Sequence, residues 1–417
     1  MKYIIMLCDG MADEPLEELK GQTPLEAAKT PCMDRMAVCS EIGMVRTVPE
    51  NMAPGSDTAN LSVMGYDPNI YYTGRSPLEA LSIGVDMKPD DVSFRCNLVT
   101  LSEEEKDYEE KHILDHSSGE INTDEAKILM KAVKDELERE DCHFYTGISY
   151  RHLLIREHGE VLELTAPHDI LTKKIGAYLP EDQVLRDMMK RSYEILDHHP
   201  INEARRAKGL RPANSLWFWG AGTRPCLTSF EEKYHVRGAM ISAVDLLKGI
   251  AVGAQMHNIE VDGANGGLHT NYAGKAQAAV DALTKEGYDF VYIHVEAPDE
   301  MGHQGSVSDK IKAIENIDRQ IIGPVTETLA EAGVNFRMLV LPDHPTPVRV
   351  RTHTKDPVPY MLYDSTEGCA GAAAYTEKTG MASGIRREEG YRLIRHLLGT
   401  EENGEKGKTA GGKYADS

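Results

Sequence analysis

Positive charge is scarce in this chain: 46 Lys and Arg stand against 67 Asp and Glu over 417 residues, a formal net charge of −21. A surface of that sign repels polyanions, which argues against nucleic acid or an anionic membrane as the main partner and leaves a small anionic substrate needing a local positive site, such as a metal. Regular cysteine spacing is missing as well. Cys8, Cys32, Cys39, Cys96, Cys142, Cys226 and Cys369 are odd in number and form no CxxC motif, so no disulfide framework is expected and the cytoplasm is the expected location. The opening MKYIIMLCDG is too short for a signal sequence or a membrane span, and no Walker or Rossmann glycine run occurs. What remains is ordinary for a globular protein of two or three domains, with 41% hydrophobic and 27% charged residues.

Three apolar runs of strand length end in acidic or His residues: 2–8 into Asp9-Gly10, 288–295 into EAPDEMGH, and 336–341 into PDHPTP. Helical patterns at 239–251, 272–286 and 308–331 surround them. Strands alternating with helices predict an α/β sheet with helices on both faces, whose ligands gather at the carboxyl ends of the strands. Residues 89–175 are rich in charge, and their mixture of helical and strand patterns predicts a smaller inserted α+β domain, a candidate lid. Residues 1–88 and 176–399 are expected to form the discontinuous core. Within the core, 182–209 reads as one long amphipathic helix, LWFWGAGTRP as a core strand with a glycine turn, and 400–417 as a disordered tail.

The stretch APGSDTANLSVMGYDP at 53–68 reads as a helix start, with Ser56 to Thr58 as cap types and Ala59, Leu61, Met64 and Tyr66 as an apolar face. A helix start presents free N–H groups to an anion, and Ser56 there is a candidate nucleophile in need of an activator. Asp299 and His303 are four apart, so on a helix they share a face. Asp343, His344 and His353 add two imidazoles and a carboxylate. With Asp9, three Asp and three His fall at or just beyond predicted strand ends. That set suits a pair of divalent cations of the kind that clamp both oxygens of an in-line phosphoryl transfer.

The ordered series Asp9-Gly10, PGSDTANLSVMGYDP, YTGRSPLEA, RCN, PDEMGH, PDHPTP and THT resembles the alkaline phosphatase superfamily, and within it the archaeal-type, cofactor-independent phosphoglycerate mutases. The resemblance implies an alkaline-phosphatase-like core and a phosphoserine at Ser56. It implies one metal on Asp9, Ser56, Asp343 and His344 and another on Asp299, His303 and His353. The metal is expected to be manganese, with zinc, magnesium or cobalt as alternatives, and the reaction the glycolytic interconversion of 3- and 2-phosphoglycerate. Candidate substrate-binding residues are Arg75, Arg95, Arg151, His152, Arg211 and Lys233.

One segment departs from the family pattern. Where archaeal mutases carry DRRAGRI, this chain has DHSSGEI at 115–121, so His116, Ser117 and Glu120 stand in place of arginines. That change fits a bacterial branch proposed to phosphorylate homoserine on the same serine and metals, which is the alternative reading. A simple phosphomonoesterase is the third.

Overall fold

In the computed structural model, residues 1–368, 371–400 and the backbone of 408–409 are described. The chain divides into two units, Met1–Tyr72 with the chain from Cys226 onward, and Thr73–Pro225. The first contributes strands β1 (Lys2–Cys8) and β2 (Ser40–Val45), and the second β3 (Val92–Leu101), β4 (Ile113–Asp115), β5 (Cys142–Tyr145), β6 (Arg151–Arg156) and β7 (Ser215–Thr223). The first then continues with β8 (Gly238–Ile241), β9 (His257–Asn258), β10 (Phe290–Val295), β11 (Phe336–Leu341), β12 (Val358–Asp364), β13 (Ile385–Arg387) and β14 (Lys408–Thr409).

The first unit is built on a nine-stranded sheet of order β14-β13-β2-β12-β11-β1-β10-β8-β9. β1 lies between β10 and β11 and is parallel to both. These strands are apolar on both faces because both faces are covered, as in parallel sheets generally. Ile4, Met6, Val291, Ile293 and Val340 share one core with the helix residues Ala279, Leu283, Ile314 and Val325. Their alternates Ile5, Leu7, Leu339 and Leu341 are equally inaccessible on the opposite face. Adjacent parallel strands end at one edge, so β1, β10 and β11 deliver Asp9, the Asp299 helix (Ala297–Gln304) and Asp343 side by side.

The second unit is a five-stranded antiparallel sheet centred on β3, all ten of whose residues are buried. The unit is wider than the expected 89–175. β7 pairs with β3 from Val92 to Val99, and Leu185, Met188 and Met189 of the helix Gln183–Leu196 share its hydrophobic core with Leu216. Residues 73–88 and 176–225 therefore fold with the insert rather than with the core.

Other expectations are corrected locally. The predicted 182–209 helix is two, Gln183–Leu196 and Pro200–Ala207, because Pro200 lacks the N–H needed to continue the first and instead starts the second. Residues 239–241 are strand β8, drawn into the sheet by β10, and only Asp245–Gly253 is helical. The 308–331 pattern is interrupted by a π-helical turn at Asp318–Ile322, where the Asp318 carboxylate accepts from the N–H groups of Cys32 and Met33 at 3.1 and 2.7 Å. Cys39 is disulfide-bonded, while Cys8, Cys32, Cys96 and Cys142 are free thiols. Of the expected tail, 401–407 and 410–417 lie outside the described residues, and the backbone of Lys408–Thr409 pairs with β13. Among the described residues no helix is long and apolar enough to cross a membrane.

Candidate active site

Ser56 opens the helix Ser56–Val63, but the cap is Gly55, in extended conformation. The serine hydroxyl is thus not consumed in capping, contrary to the sequence reading of Ser56 as a cap type. It points instead to His344, whose Nε2 lies 3.1 Å from Ser56 Oγ. Asn60, one turn on, donates to the Ser56 carbonyl and to Asp343 Oδ2, both at 2.8 Å, while Tyr292 donates to Asn60 Oδ1 at 2.6 Å. A buried amide therefore ties the helix to the β11 carboxylate, and buried polar groups satisfied in this way hold one geometry.

The structure brings all six predicted acidic and His residues together. Donor atoms of Asp9, Asp343 and His344 lie within 4.8 Å of one another, as do those of Asp299, His344 and His353. His344 stands between the groups, with Nε2 3.7 Å from Asp9 Oδ1 and 3.4 Å from Asp343 Oδ2. His303 Nε2 is 3.2 Å from Asp299 Oδ2 and 3.0 Å from His353 Nε2. Thr346 donates to Asp299 Oδ1, and the N–H groups of Gly10 and His344 donate to Asp343 Oδ1 at 3.1 and 2.9 Å.

Gly10 is required here. Its φ is +59°, and an added Cβ would lie 2.5 Å from Asp299 Oδ1. Gly10→Ala is expected to cost about 1–2 kcal/mol for the left-handed backbone alone and to displace Asp299. A thermal melt together with metal analysis checks both effects.

Asp9 shows most plainly how the donor set suits a cation. Its Oδ2 faces His294 Nε2 at 2.8 Å, but its Oδ1 is buried without a hydrogen-bond partner. Burial, and then the charges of Asp343 and Asp299, push the Asp9 carboxyl well above the usual range. Burial works in the same direction on Asp299, but hydrogen bonds from His303 and His353 outweigh it and hold that carboxyl well below. His303 is likewise disfavoured as a cation by burial, yet Asp299 raises it to about 9. Buried carboxylates and imidazoles with an open oxygen fit a divalent cation of the borderline O/N-loving kind.

His294 was not singled out by sequence; the only signal was a histidine inside an otherwise apolar strand. Burial lowers it to about 3, so the ring is neutral. Ser242 Oγ lies 3.1 Å from Nδ1 and itself accepts from the Val244 N–H, while Nε2 lies 2.8 Å from Asp9 Oδ2. One Asp9 oxygen is thereby oriented and the other left open. His294→Ala is expected to weaken cation binding about 10–100-fold. A metal titration giving unchanged affinity would show that Asp9 needs no such support.

The sequence model of the 2,3-bisphosphoglycerate-independent phosphoglycerate mutases matches residues 37–202. A Methanosarcina barkeri protein of that name is 49% identical over 95% of this chain and 99% of its own length. A Geobacter sulfurreducens protein, named as a probable one, is 46% identical over 95% and 100%. This chain belongs to the 2,3-bisphosphoglycerate-independent phosphoglycerate mutase family. Among solved structures it resembles the PH0037 protein from Pyrococcus horikoshii, with 31% identity, a TM-score of 0.78 and coverage of 96% and 98%. The cofactor-independent phosphoglycerate mutase of Thermoplasma acidophilum follows with 26% identity, a TM-score of 0.62 and coverage of 95% and 99%.

In this member of the mutase family the candidate anion-binding residues are only partly brought together. Glu79 lies 3.2 Å from Arg75 Nε and 3.0 Å from Arg95 Nε, and the buried Arg95 guanidinium stacks 4.2 Å from the Trp219 ring centre. Burial lowers Arg95 to about 10, with the Glu79 charge opposing it and the Arg75 charge adding to it. His168 packs edge-on against Trp219, and His116 against His168 and Tyr150, giving an aromatic cluster that sequence reasoning missed. His152 is a buried packing residue. Its Nδ1 accepts from the Gly147 N–H at 3.1 Å, and burial lowers it to about 3, which removes it as a proton donor near neutral pH. Arg211 lines a separate groove with the acidic run Glu103 to Glu105, and Lys233 lies in the first unit at the far end of the Ser56 helix.

The divergent DHSSGEI segment is a rigid turn. Asp115 accepts from the Ser117 and Gly119 N–H groups at 2.8 and 3.0 Å, and Arg205 donates to the Ser118 carbonyl at 2.7 Å. Ser118, Gly119 and Glu120 are all left-handed, with φ of +52°, +64° and +51°.

Proposed function

We propose that this chain interconverts 3-phosphoglycerate and 2-phosphoglycerate without 2,3-bisphosphoglycerate, through a phosphoserine at Ser56. The observation that carries this reading is the Ser56 hydroxyl, free of a capping role and 3.1 Å from His344, beside two groups of metal-type donors. It is supported by mutase names on relatives 44–49% identical to this chain.

Asp9, Ser56, Asp343 and His344 would hold one divalent cation and Asp299, His303 and His353 the other, manganese being the first expectation. When bound, the cations supply Lewis acidity, lowering the serine pKa and neutralising phosphoryl charge. The chain's own residues do the positioning. Gly55 and Asn60 aim Ser56, Gly10 and Asn60 orient Asp343, and His294 turns Asp9. Arg75, Arg95 and Arg151 are assigned to holding the substrate anion, with the Trp219 ring covering one face of the Arg95 guanidinium. Exclusion of water from the phosphoserine separates a mutase from a phosphatase.

The test is a paired assay on manganese-loaded protein: conversion of 3- to 2-phosphoglycerate without added bisphosphoglycerate, beside ATP-dependent phosphorylation of homoserine. Mutase turnover indifferent to ATP is expected. Homoserine phosphorylation without mutase turnover would overturn the reading and assign the His116, Ser117 and Glu120 changes to a new acceptor.

A further inference from the structure

The first unit holds a second polar cavity at the end of the Ser56 helix opposite the serine. Its volume is about 290 Å³, and Tyr71, Lys233, Tyr234, Tyr391, Arg392 and Arg395 line it. Asp67 is a carboxylate of that lining, and Arg392 is ion-paired with Glu389 at 2.9 Å, so Lys233 and Arg395 are the cations the cavity offers in a chain of net charge −21.

Lys233 is fixed in place. Its Nζ lies 4.2, 5.0 and 5.5 Å from the ring centres of Tyr66, Tyr71 and Tyr234 and donates to the Gly65 carbonyl at 2.8 Å. Tyr234 donates to the same carbonyl at 2.7 Å. Burial and then the charge of Arg395 lower Lys233 to about 8, so the cations are held together against desolvation and mutual repulsion. An anion relieves both. None of the lining residues belongs to the metal-type groups, and Ser56 precedes Gly65 by a helical run rising about 13 Å.

We propose that this cavity is a second anion site that takes a small phosphate-bearing molecule. The Arg395 guanidinium fork together with the Lys233 ammonium suits a phosphate-type oxyanion. Tyrosine walls suit a short carbon chain on it. The volume falls at the lower edge of the roughly 300–1,000 Å³ usual for ligand cavities, which suits a small phosphate ester.

The experiment is calorimetric titration of manganese-loaded protein with inorganic phosphate and, separately, with glycerol 3-phosphate. Lys233→Met, which keeps the apolar stem against the rings, and Arg395→Gln, on a partly exposed side chain, are compared with the parent chain after circular dichroism establishes their fold. Each variant is expected to lose one binding equivalent, or to bind it at least tenfold more weakly. Loss for both titrants assigns the site to phosphate monoesters in general, and loss for phosphate alone to the free ion. Isotherms identical to the parent in both variants would overturn the proposal.

Discussion

Ser56→Ala is expected to lower turnover by about 10,000-fold or more, the scale seen when a covalent nucleophile is removed. The fold should persist. The Ser56 side chain makes no capping bond, its neighbours Asp57 to Val63 are buried by their own packing, and Asn60 bonds to the residue-56 carbonyl rather than to its hydroxyl. Phosphoenzyme should be detectable by mass spectrometry after incubating the parent chain with substrate, and absent from the variant. A variant with unchanged turnover would remove the serine from the mechanism, whatever the family name.

His344→Ala is expected to be nearly as damaging for a different reason. His344 is the residue shared by both donor groups, and its Nε2 also lies 3.1 Å from Ser56 Oγ. Its loss should reduce the content of both metals and leave Asp9 and Asp343 as buried carboxylates without a cationic or imidazole neighbour between them, which destabilises the fold. Elemental analysis should give well under one cation per chain, turnover should fall at least about 1,000-fold, and the melting temperature should drop. His303→Ala is the contrast, because His303 Nε2 faces Asp299 and His353 while its Nδ1 faces the Arg351 carbonyl at 3.0 Å. It should reduce one metal and spare the other. Equal metal loss in the two variants would show that the donors form a single site.

Much of the core was legible in sequence because its signals are local. Apolar runs at 2–8 and 336–341 became β1 and β11 with the same bounds. The acidic and His residues at their ends met because parallel neighbours must end at a common edge. The errors arose where a neighbour overrode a pattern. Residues 239–241 have helical spacing but complete the ladder of β10. The insert boundary was drawn from charge density, whereas its real limit is set by β7 returning to β3 from more than a hundred residues away.

The sequence by itself determined the sheet's central strands, the serine at a helix start, and the six acidic and His residues at strand ends, since periodicity and strand-end chemistry act over a few residues. Only the tertiary structure decided that Gly55 rather than Ser56 is the cap, that His344 stands between both donor groups, and that His294 holds one Asp9 oxygen. It also placed Arg211 in a groove with the acidic run Glu103 to Glu105. Those outcomes depend on distances between side chains from remote parts of the chain, and a hydrogen bond or a repulsion at 3 Å is set by packing that no local pattern encodes.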